Sequence, residues 1–568
     1  MDVVSFDFTS DGRDKLGRGA MGRDWPVVYL INNDSEMYIG ETCSVYNRFS
    51  QHLQNPDRSG LKTMNVIIDD QFNKSAVLDI EQSLIQLCHA DEKFRLQNLN
   101  AGQSVKYNYY QREMYVNKLN SIWKCMRDGK LADHDFFTLK NSSLFKYSPY
   151  MTLTVEQNTI CTYVIHDILE KMVKGEKGTS VINGSAGTGK TVMAINMIFT
   201  LINADRIRID TSDVTYGFTD EQMVVHELHE FLKYHDRLRV GFVLPMASIR
   251  MTMSTVFRKT ENGLKANMVI GPADVVKGHY DILFVDESHR LAKRKNIPNM
   301  GSFDRVCRSL KLEPENSTQL DWIMKCSDYQ VLFYDKDQTV KGSDISPEQF
   351  DKTVGPDAKQ YFLKTQMRCA AGDGYPKYLK RIFECKQDLF DEVRNYDFRI
   401  FDDVDLMVNE IKSLNSEYKL CRTVAGYSWK WISKGYRAEE IKAEHLEDIH
   451  IGPYKYIWNM SNMEWILRED SIDEIGCIHT SQGYDLNYVG VIFGYEIDYD
   501  KVNNRIVVDT SKFYDTNVKK ATDEETVRKY IINAYRIMMT RGIRGCYVYA
   551  CNQGLNEYLK RFIKGSDI

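Results

Sequence analysis

The stretch GSAGTGKT (184–191) is a complete G-x-x-x-x-G-K-[ST] loop, set between the apolar strand end VIN (181–183) and the apolar helix VMAINMIFTLI (192–202). Gly184, Gly187 and Gly189 let backbone N–H groups wrap phosphates at a helix N-terminus. Lys190 is then placed to reach the β and γ oxygens, and the Thr191 hydroxyl suits Mg2+. A second apolar run, DILFV (281–285), leads into Asp286 and Glu287, one carboxylate for the metal and one to activate the attacking water. These groups predict binding and hydrolysis of a nucleoside triphosphate.

A second set of chemistry-bearing residues lies nearer the N-terminus: Tyr29, Tyr38, Arg48, His52, Glu81 and Asn98. Hydrolysing a phosphodiester needs a base to deprotonate water, a divalent ion for the phosphorane charge, and a cation or acid near the leaving oxygen, and this set can supply each. The elements that must position them are legible. PVVYLIN (26–32), turn residues at 32–35 and EMYIGET (36–42) predict a β-hairpin. Ser44 is placed to cap a helix over 44–55, with Val45, Phe49 and Leu53 facing inward and Arg48 and His52 one turn apart on another face. A strand over 64–69 and a helix through 78–88, which carries Glu81, complete the frame.

In this order the residues resemble the GIY-YIG nuclease family over residues 25–105. Tyr38, Ile39 and Gly40 match the second signature letter for letter, whereas the first reads Val27, Val28, Tyr29 and lacks its glycine. The resemblance implies that Tyr29 is the general base and Glu81 the one carboxylate ligand of Mg2+ or Mn2+. Arg48 would stabilise phosphate charge, Tyr38 and His52 would assist proton transfer, and Asn98 would brace the site.

Residues 148–555 resemble superfamily 1 helicases, closest to a bacterial ATPase family related to the helicase-like part of Schlafen proteins. LTVEQ (153–157) stands at the adenine-reading position, so Gln157 implies ATP, and VLPMASIRMTMS (243–254) stands at motif Ia. FYDKDQ (333–338) resembles motif III, with Gln338 as the γ-phosphate sensor. LKTQMR (363–368) and NAYRIMMTR (533–541) resemble motifs IV and VI, so Arg368 and Arg541 are the expected arginine fingers. IHTSQGYD (478–485), with Gly483 in its turn, resembles motif V, and YVGVIFG (488–494) reads as its buried strand.

The rest of the chain bounds the reading. Its 568 residues need several domains, and 43% hydrophobic with 27% charged residues is the composition of a globular protein. A net charge of -5 neither supports nor excludes nucleic acid, because a large enzyme binds phosphate through local basic grooves. The 12 cysteines show no C-x-x-C pair, so buried free thiols are expected. His226 and His229 are three apart rather than four and fail the H-E-x-x-H pattern; an amphipathic helix explains that segment. No leader or membrane segment is evident, which predicts a cytoplasmic location.

The expected architecture is α/β: a small α+β GIY-YIG domain (25–105), a partly helical connector (106–147), and two RecA-like parallel-sheet domains (148–360 and 361–568). The expected function is an ATP-dependent nuclease–helicase acting on nucleic acid, DNA ahead of RNA, in bacterial or phage restriction, repair or anti-phage defence. The competing expectations are an ATP-gated nucleic-acid sensor with an inactive nuclease unit, for which the missing glycine at Val27 argues, and an RNA-directed enzyme of the same build.

Overall fold

The computed structural model describes residues 2–566 except 20–21, 99–108, 186, 208–219, 261–262, 296, 298, 337–342, 365–373, 387–392, 394–395, 461–464, 482–484, 516–517 and 520–522. Among these, the N-terminal apolar runs pair into a five-stranded sheet. Its strands are β1 (Asp2–Asp7), β2 (Val27–Asn32), β3 (Glu36–Thr42), β4 (Thr63–Ile68) and β5 (Arg95–Leu96), in the order β1-β4-β2-β3-β5. The hairpin β2–β3 is closed by Asn33, whose side-chain oxygen accepts the Ser35 and Glu36 N–H groups at 2.8 and 2.7 Å. β1 was not foreseen. It pairs antiparallel with β4 along its whole length, but as a half-exposed edge strand with acids at both ends it carries little hydrophobic signal.

The first helix of this unit, Val45–Leu53, buries Val45 and Phe49 as expected. Two details differ. Ser44 makes no capping hydrogen bond, and the third buried residue is His52, whose ring is held beside the rings of Tyr29 and Tyr38, while Leu53 is half-buried.

The helix Lys74–Asp91 is buried nearly all round, polar Gln82, Gln86, His89 and Asp91 included. It is enclosed because the connector helices Arg112–Asp128, Phe136–Asn141 and Ser143–Lys146 pack against it. Its buried polar groups are satisfied from that side: Asp91 accepts the Asp133 and His134 N–H groups, and Gln86 donates to the Tyr150 carbonyl at 2.8 Å. One continuous apolar core runs from Val28 and Ile39 through Trp123 and Tyr150 to Phe199, Phe242 and Phe333. The N-terminal unit is thus built onto the sheet that follows.

That sheet is entirely parallel. It comprises β6 (Gly178–Gly184), β7 (Val240–Val243), β8 (Val269–Ile270), β9 (Tyr280–Val285), β10 (Ser327–Tyr334) and β11 (Lys359–Leu363), in the order β11-β6-β10-β9-β7-β8. The following strands are β12 (Asp397–Ile400), β13 (Cys421–Ala425), β14 (Ile449–Ile451), β15 (Tyr454–Tyr456), β16 (Leu486–Phe493), β17 (Ile497–Asp500), β18 (Arg505–Val508), β19 (Gly542–Ala550) and β20 (Lys564–Gly565). Five of them form a second parallel sheet, β13-β16-β19-β12-β20, and β14–β15 and β17–β18 are small hairpins. β9, β10 and β16 are near-continuous apolar runs because helices cover both faces of such a sheet. Most described cysteines are buried, and no helix among the described residues is long and apolar enough to cross a membrane.

Candidate active sites

The N-terminal site forms on one face of its sheet. Tyr29 on β2 lies opposite Gly40 on β3, and an added Cβ at position 40 would stand 2.3 Å from the Tyr29 hydroxyl oxygen, so the glycine of the second signature makes room for the tyrosine. The Tyr29 ring is fully buried and its hydroxyl lies 2.8 Å from His52 Nε2, while Arg48 Nε–H donates to the same oxygen at 3.3 Å. Tyr38 flanks both rings, with centroids 6.3 Å from Tyr29 and 5.1 Å from His52, and the Arg58 guanidinium lies over its outer face at 4.0 Å. Asn98 grips β3 by both backbone groups of Ile39, accepting its N–H at 3.0 Å and donating to its carbonyl at 2.9 Å.

The electrostatics follow from burial. Loss of solvent, with the charges of Arg48 and Arg58, drives His52 down to about 3, so the imidazole is neutral. Burial, reinforced by Tyr38, raises Tyr29 well above an ordinary tyrosine despite Arg48. Glu81 is pushed up to about 8 by burial and by the nearby Glu41 carboxylate, against Lys74, Arg48 and a hydrogen bond from the Glu41 backbone. Lys74 is in turn held by Glu41 at 2.7 Å. Arg58, Glu41 and Lys74 were missed in the sequence. Glu41 directly follows the second signature and Lys74 opens the Glu81 helix, but neither position marks a side chain as pointing inward.

In the first parallel sheet the loops after β6, β9 and β10 leave the same carboxyl edge, where ligands of such sheets bind. Gly187 and Gly189 have φ of 86° and 78°, the left-handed conformations that the phosphate loop requires. A Cβ at Gly184 would crowd the Thr188 hydroxyl at 2.6 Å. Lys190 Nζ folds onto the loop, donating to the Gly184 and Ser185 carbonyls at 2.6 and 3.0 Å, with Asp335 at the end of β10 only 3.9 Å away. The Thr191 hydroxyl donates to Asp286 Oδ2 at 2.6 Å, so hydroxyl and carboxylate converge as a pair of oxygen donors suited to Mg2+. Gln157 is buried and rests on the loop through a 2.8 Å bond to the Thr188 carbonyl; its side-chain oxygen closes the capping box of the helix Val155–Lys174.

Glu287 occupies left-handed backbone, φ 49°, unusual for a glutamate and a conformation that recurs at functional sites. Its Oε2 lies 3.0 Å from Nε2 of the fully buried His289 and 3.9 Å from Arg290 Nε. Burial alone would raise the carboxyl, but His289, Lys190 and Arg290 outweigh it and hold Glu287 low, whereas Asp286 is pushed up by burial and by Glu287 itself.

Of the remaining expected residues, Gln338, Arg368 and Gly483 lie outside the described residues. Arg541 is buried where the helix Glu524–Met539 passes into β19, and its carbonyl accepts the Leu486 N–H at 3.0 Å, tying motif VI to the strand after motif V. His229 and Glu227 face different neighbours, the Ala204 carbonyl and His166.

Two parallel sheets in one chain, the first with a phosphate loop facing an Asp–Glu pair, are the construction of helicase-like P-loop ATPases. The comparisons narrow this to a family: residues 177–552 match the model described as Schlafen group 3, DNA/RNA helicase domain, and the chain belongs to that family. The match begins beyond the N-terminal sheet and the connector. A curated relative, the uncharacterised protein YPL245W of Saccharomyces cerevisiae, is 27% identical over 414 residues, covering 67% of this chain and 83% of that protein. Among solved structures, a DEAD box protein from the hyperthermophile Methanococcus jannaschii is 14% identical with a TM-score of 0.22, covering 70% of this chain and 88% of its own. Domain III of the Thermotoga maritima replication initiation protein DnaA is 11% identical with a TM-score of 0.21, covering 48% and 89%. At such scores the topology rests on the sheets themselves.

Proposed function

We propose that the chain is an ATP-driven nuclease–helicase, in which a GIY-YIG-type site cleaves phosphodiesters of the nucleic acid that the helicase-like ATPase handles. The observation that carries this reading is the contact of Tyr29, His52 and Arg48 around a single hydroxyl, with the buried Glu81 carboxyl in the same site.

The chemistry these residues support is specific. A tyrosine acts as general base only if its own proton has somewhere to go, and neutral His52 is an acceptor in direct reach at Nε2, given the tautomer that leaves this nitrogen unprotonated. As Tyr29 passes its proton to His52 it takes one from the attacking water. The water oxygen then forms the new bond to phosphorus as the leaving oxygen departs with the old bonding pair. Arg48, already donating to the tyrosine oxygen, stabilises negative charge there and on the phosphate. Bound Mg2+ or Mn2+ would polarise the phosphoryl oxygens, and Glu81 is the residue that would hold it. Val27 is buried with Val45 and Phe49, so the missing glycine of the first signature costs the site no room at Tyr29 and gives little support to the inactive-sensor reading.

The family description covers both DNA and RNA, and motors of this kind grip mainly the phosphate backbone. DNA remains our first substrate and RNA the alternative, with restriction, repair or anti-phage defence as the proposed setting. The test is incubation of wild type and Glu81→Ala with single-stranded, duplex and forked DNA and their RNA counterparts, with Mg2+ or Mn2+, with and without ATP. Products from wild type alone support the nuclease, and the better substrate names the polymer. No cleavage of any substrate, with ATPase activity intact, would sink it in favour of the sensor.

A further inference from the structure

The ATPase glutamate has a neighbour whose position the hydrolytic chemistry does not explain. Arg290 is 8% exposed, yet its Nε and one terminal nitrogen, Nη2, are buried without a hydrogen-bond partner. A buried guanidinium in that condition is costly, and an orphaned donor beside a catalytic carboxylate calls for a functional reason. Arg290 is fixed from behind, because its N–H donates to the Glu287 carbonyl at 2.8 Å and the segment after it, 291–293, pairs with 343–345, which brings Asp344 alongside.

Its charge faces the second parallel sheet's unit. Arg290 and Asp344 both act electrostatically on the hydroxyl of Tyr530, a buried residue of the helix Glu524–Met539. That hydroxyl lies 3.5 Å from Nε2 of His479, in the motif V segment, and His479 Nε2 is 3.7 Å from Asp515. The Tyr427 and Phe513 rings close the pocket, at 5.8 Å from His479 and 6.0 Å from Tyr530. A continuous path therefore runs from Glu287 through Arg290, across the cleft to Tyr530, and on to His479.

We propose that Arg290 and Tyr530 form a bridge across the cleft that couples the motif V segment to the catalytic glutamate, making both positioning residues for polynucleotide-stimulated ATP hydrolysis. The inference rests on the helicase-like reading of the two sheets. Polynucleotide pressing on motif V shifts His479 and Tyr530, and Arg290 transmits the shift to Glu287. Spatial intermediacy does not establish coupling, so the test measures the coupling itself.

ATP turnover is measured with and without saturating oligo(dT) or oligo(U) for wild type, Tyr530→Phe, Arg290→Gln and the double variant, alongside polynucleotide affinity without ATP and melting temperature. Tyr530→Phe removes one hydroxyl and should leave unstimulated turnover, affinity and melting temperature unchanged while stimulation falls about tenfold, within the usual range for coupling between sites. Arg290→Gln should lose stimulation to a similar extent, Arg290→Lys should restore part of it, and the double variant should be no worse than Arg290→Gln alone. Losses that multiply in the double variant, full stimulation in Tyr530→Phe, or parallel loss with and without polynucleotide would overturn the bridge. A wild type that neither polymer stimulates would overturn the motor reading as well, whereas a stimulated wild type with an unaffected Tyr530→Phe overturns the bridge alone.

Discussion

The two candidate sites are assembled in opposite ways. The N-terminal site takes Tyr29, Gly40, Arg48, His52 and Glu81 from four consecutive elements, and its key side chains already touch around the Tyr29 hydroxyl. The ATPase site takes its groups from loops far apart in the chain, and in the structure these groups satisfy one another: Lys190 binds its own loop, Thr191 binds Asp286, and Glu287 leans on His289. A preformed site cuts whatever reaches it, while a site whose groups must exchange partners works only after a rearrangement. Regulation of such a protein therefore falls to the motor, and the nuclease depends on delivery.

The largest effect that would sharpen this contrast is complete separation of the two activities. Lys190→Ala removes the cation that must reach the phosphates and should abolish ATP hydrolysis, yet leave metal-dependent cutting of short single strands intact. Glu81→Ala should do the reverse. Paired ATPase and gel-cleavage assays decide it, and loss of both activities in either variant would break the comparison, because the shared core would then be transmitting damage.

Tyr29→Phe comes next. It removes the oxygen on which His52 and Arg48 converge but keeps the buried ring, so folding and ATPase activity should hold while cleavage falls by about 10²–10⁴, the usual contribution of a positioned base. A variant that cuts at the wild-type rate would move the base elsewhere.

The unequal legibility of the sites has the same physical origin as their assembly. The phosphate loop, Asp286 and Glu287 could be read because backbone geometry forces particular residue types at particular spacings. The N-terminal hairpin and helices were readable from turn chemistry and period, but the burial of His52 in place of Leu53 was not, since it depends on two aromatic rings from other strands. The same holds for Arg58, Glu41 and Lys74, which reach the site only through tertiary packing. β1 escaped because an exposed edge strand is specified by its neighbour more than by its own pattern. Asp335, Arg290 and Tyr530 belong to segments that the motif reading covered, but their roles come from contacts between strands and across the cleft.

A smaller effect concerns Glu81 and pH. Its carboxyl is raised to about 8 in the fold, above the ordinary glutamate value near 4.3, so the stability it contributes is fully present below the unfolded value and is lost as pH rises through the folded one. In metal-free protein, Glu81→Gln should therefore melt at the wild-type temperature near pH ~4 and above it near pH ~9, by an amount on the order of a few kcal/mol. Mg2+ should close that gap by stabilising wild type alone at the higher pH, because a metal ligand must be ionised. Identical melting profiles at both pH values would mean that Glu81 is solvated and that the site is less closed than the ATPase site.

The smallest expected effect tests whether preassembly depends on the brace. Asn98 accepts the Ile39 N–H and donates to the Ile39 carbonyl, so it holds β3 where only the two-residue strand β5 would otherwise hold that edge. Asn98→Ala leaves two buried backbone groups unpaired and should cost about 1–3 kcal/mol. Because Tyr38 and Gly40 flank Ile39, the loss should appear chiefly in cleavage, as a weaker register between Gly40 and the Tyr29 ring, with ATP turnover unchanged. Chemical denaturation of Asn98→Ala, with cleavage and ATPase assays at a temperature where the variant is fully folded, separates the outcomes. Reduced cutting at full folding means that the brace maintains the site, whereas a stability loss with unaltered cutting would show that β2, β3 and the two helices hold the nuclease geometry without it.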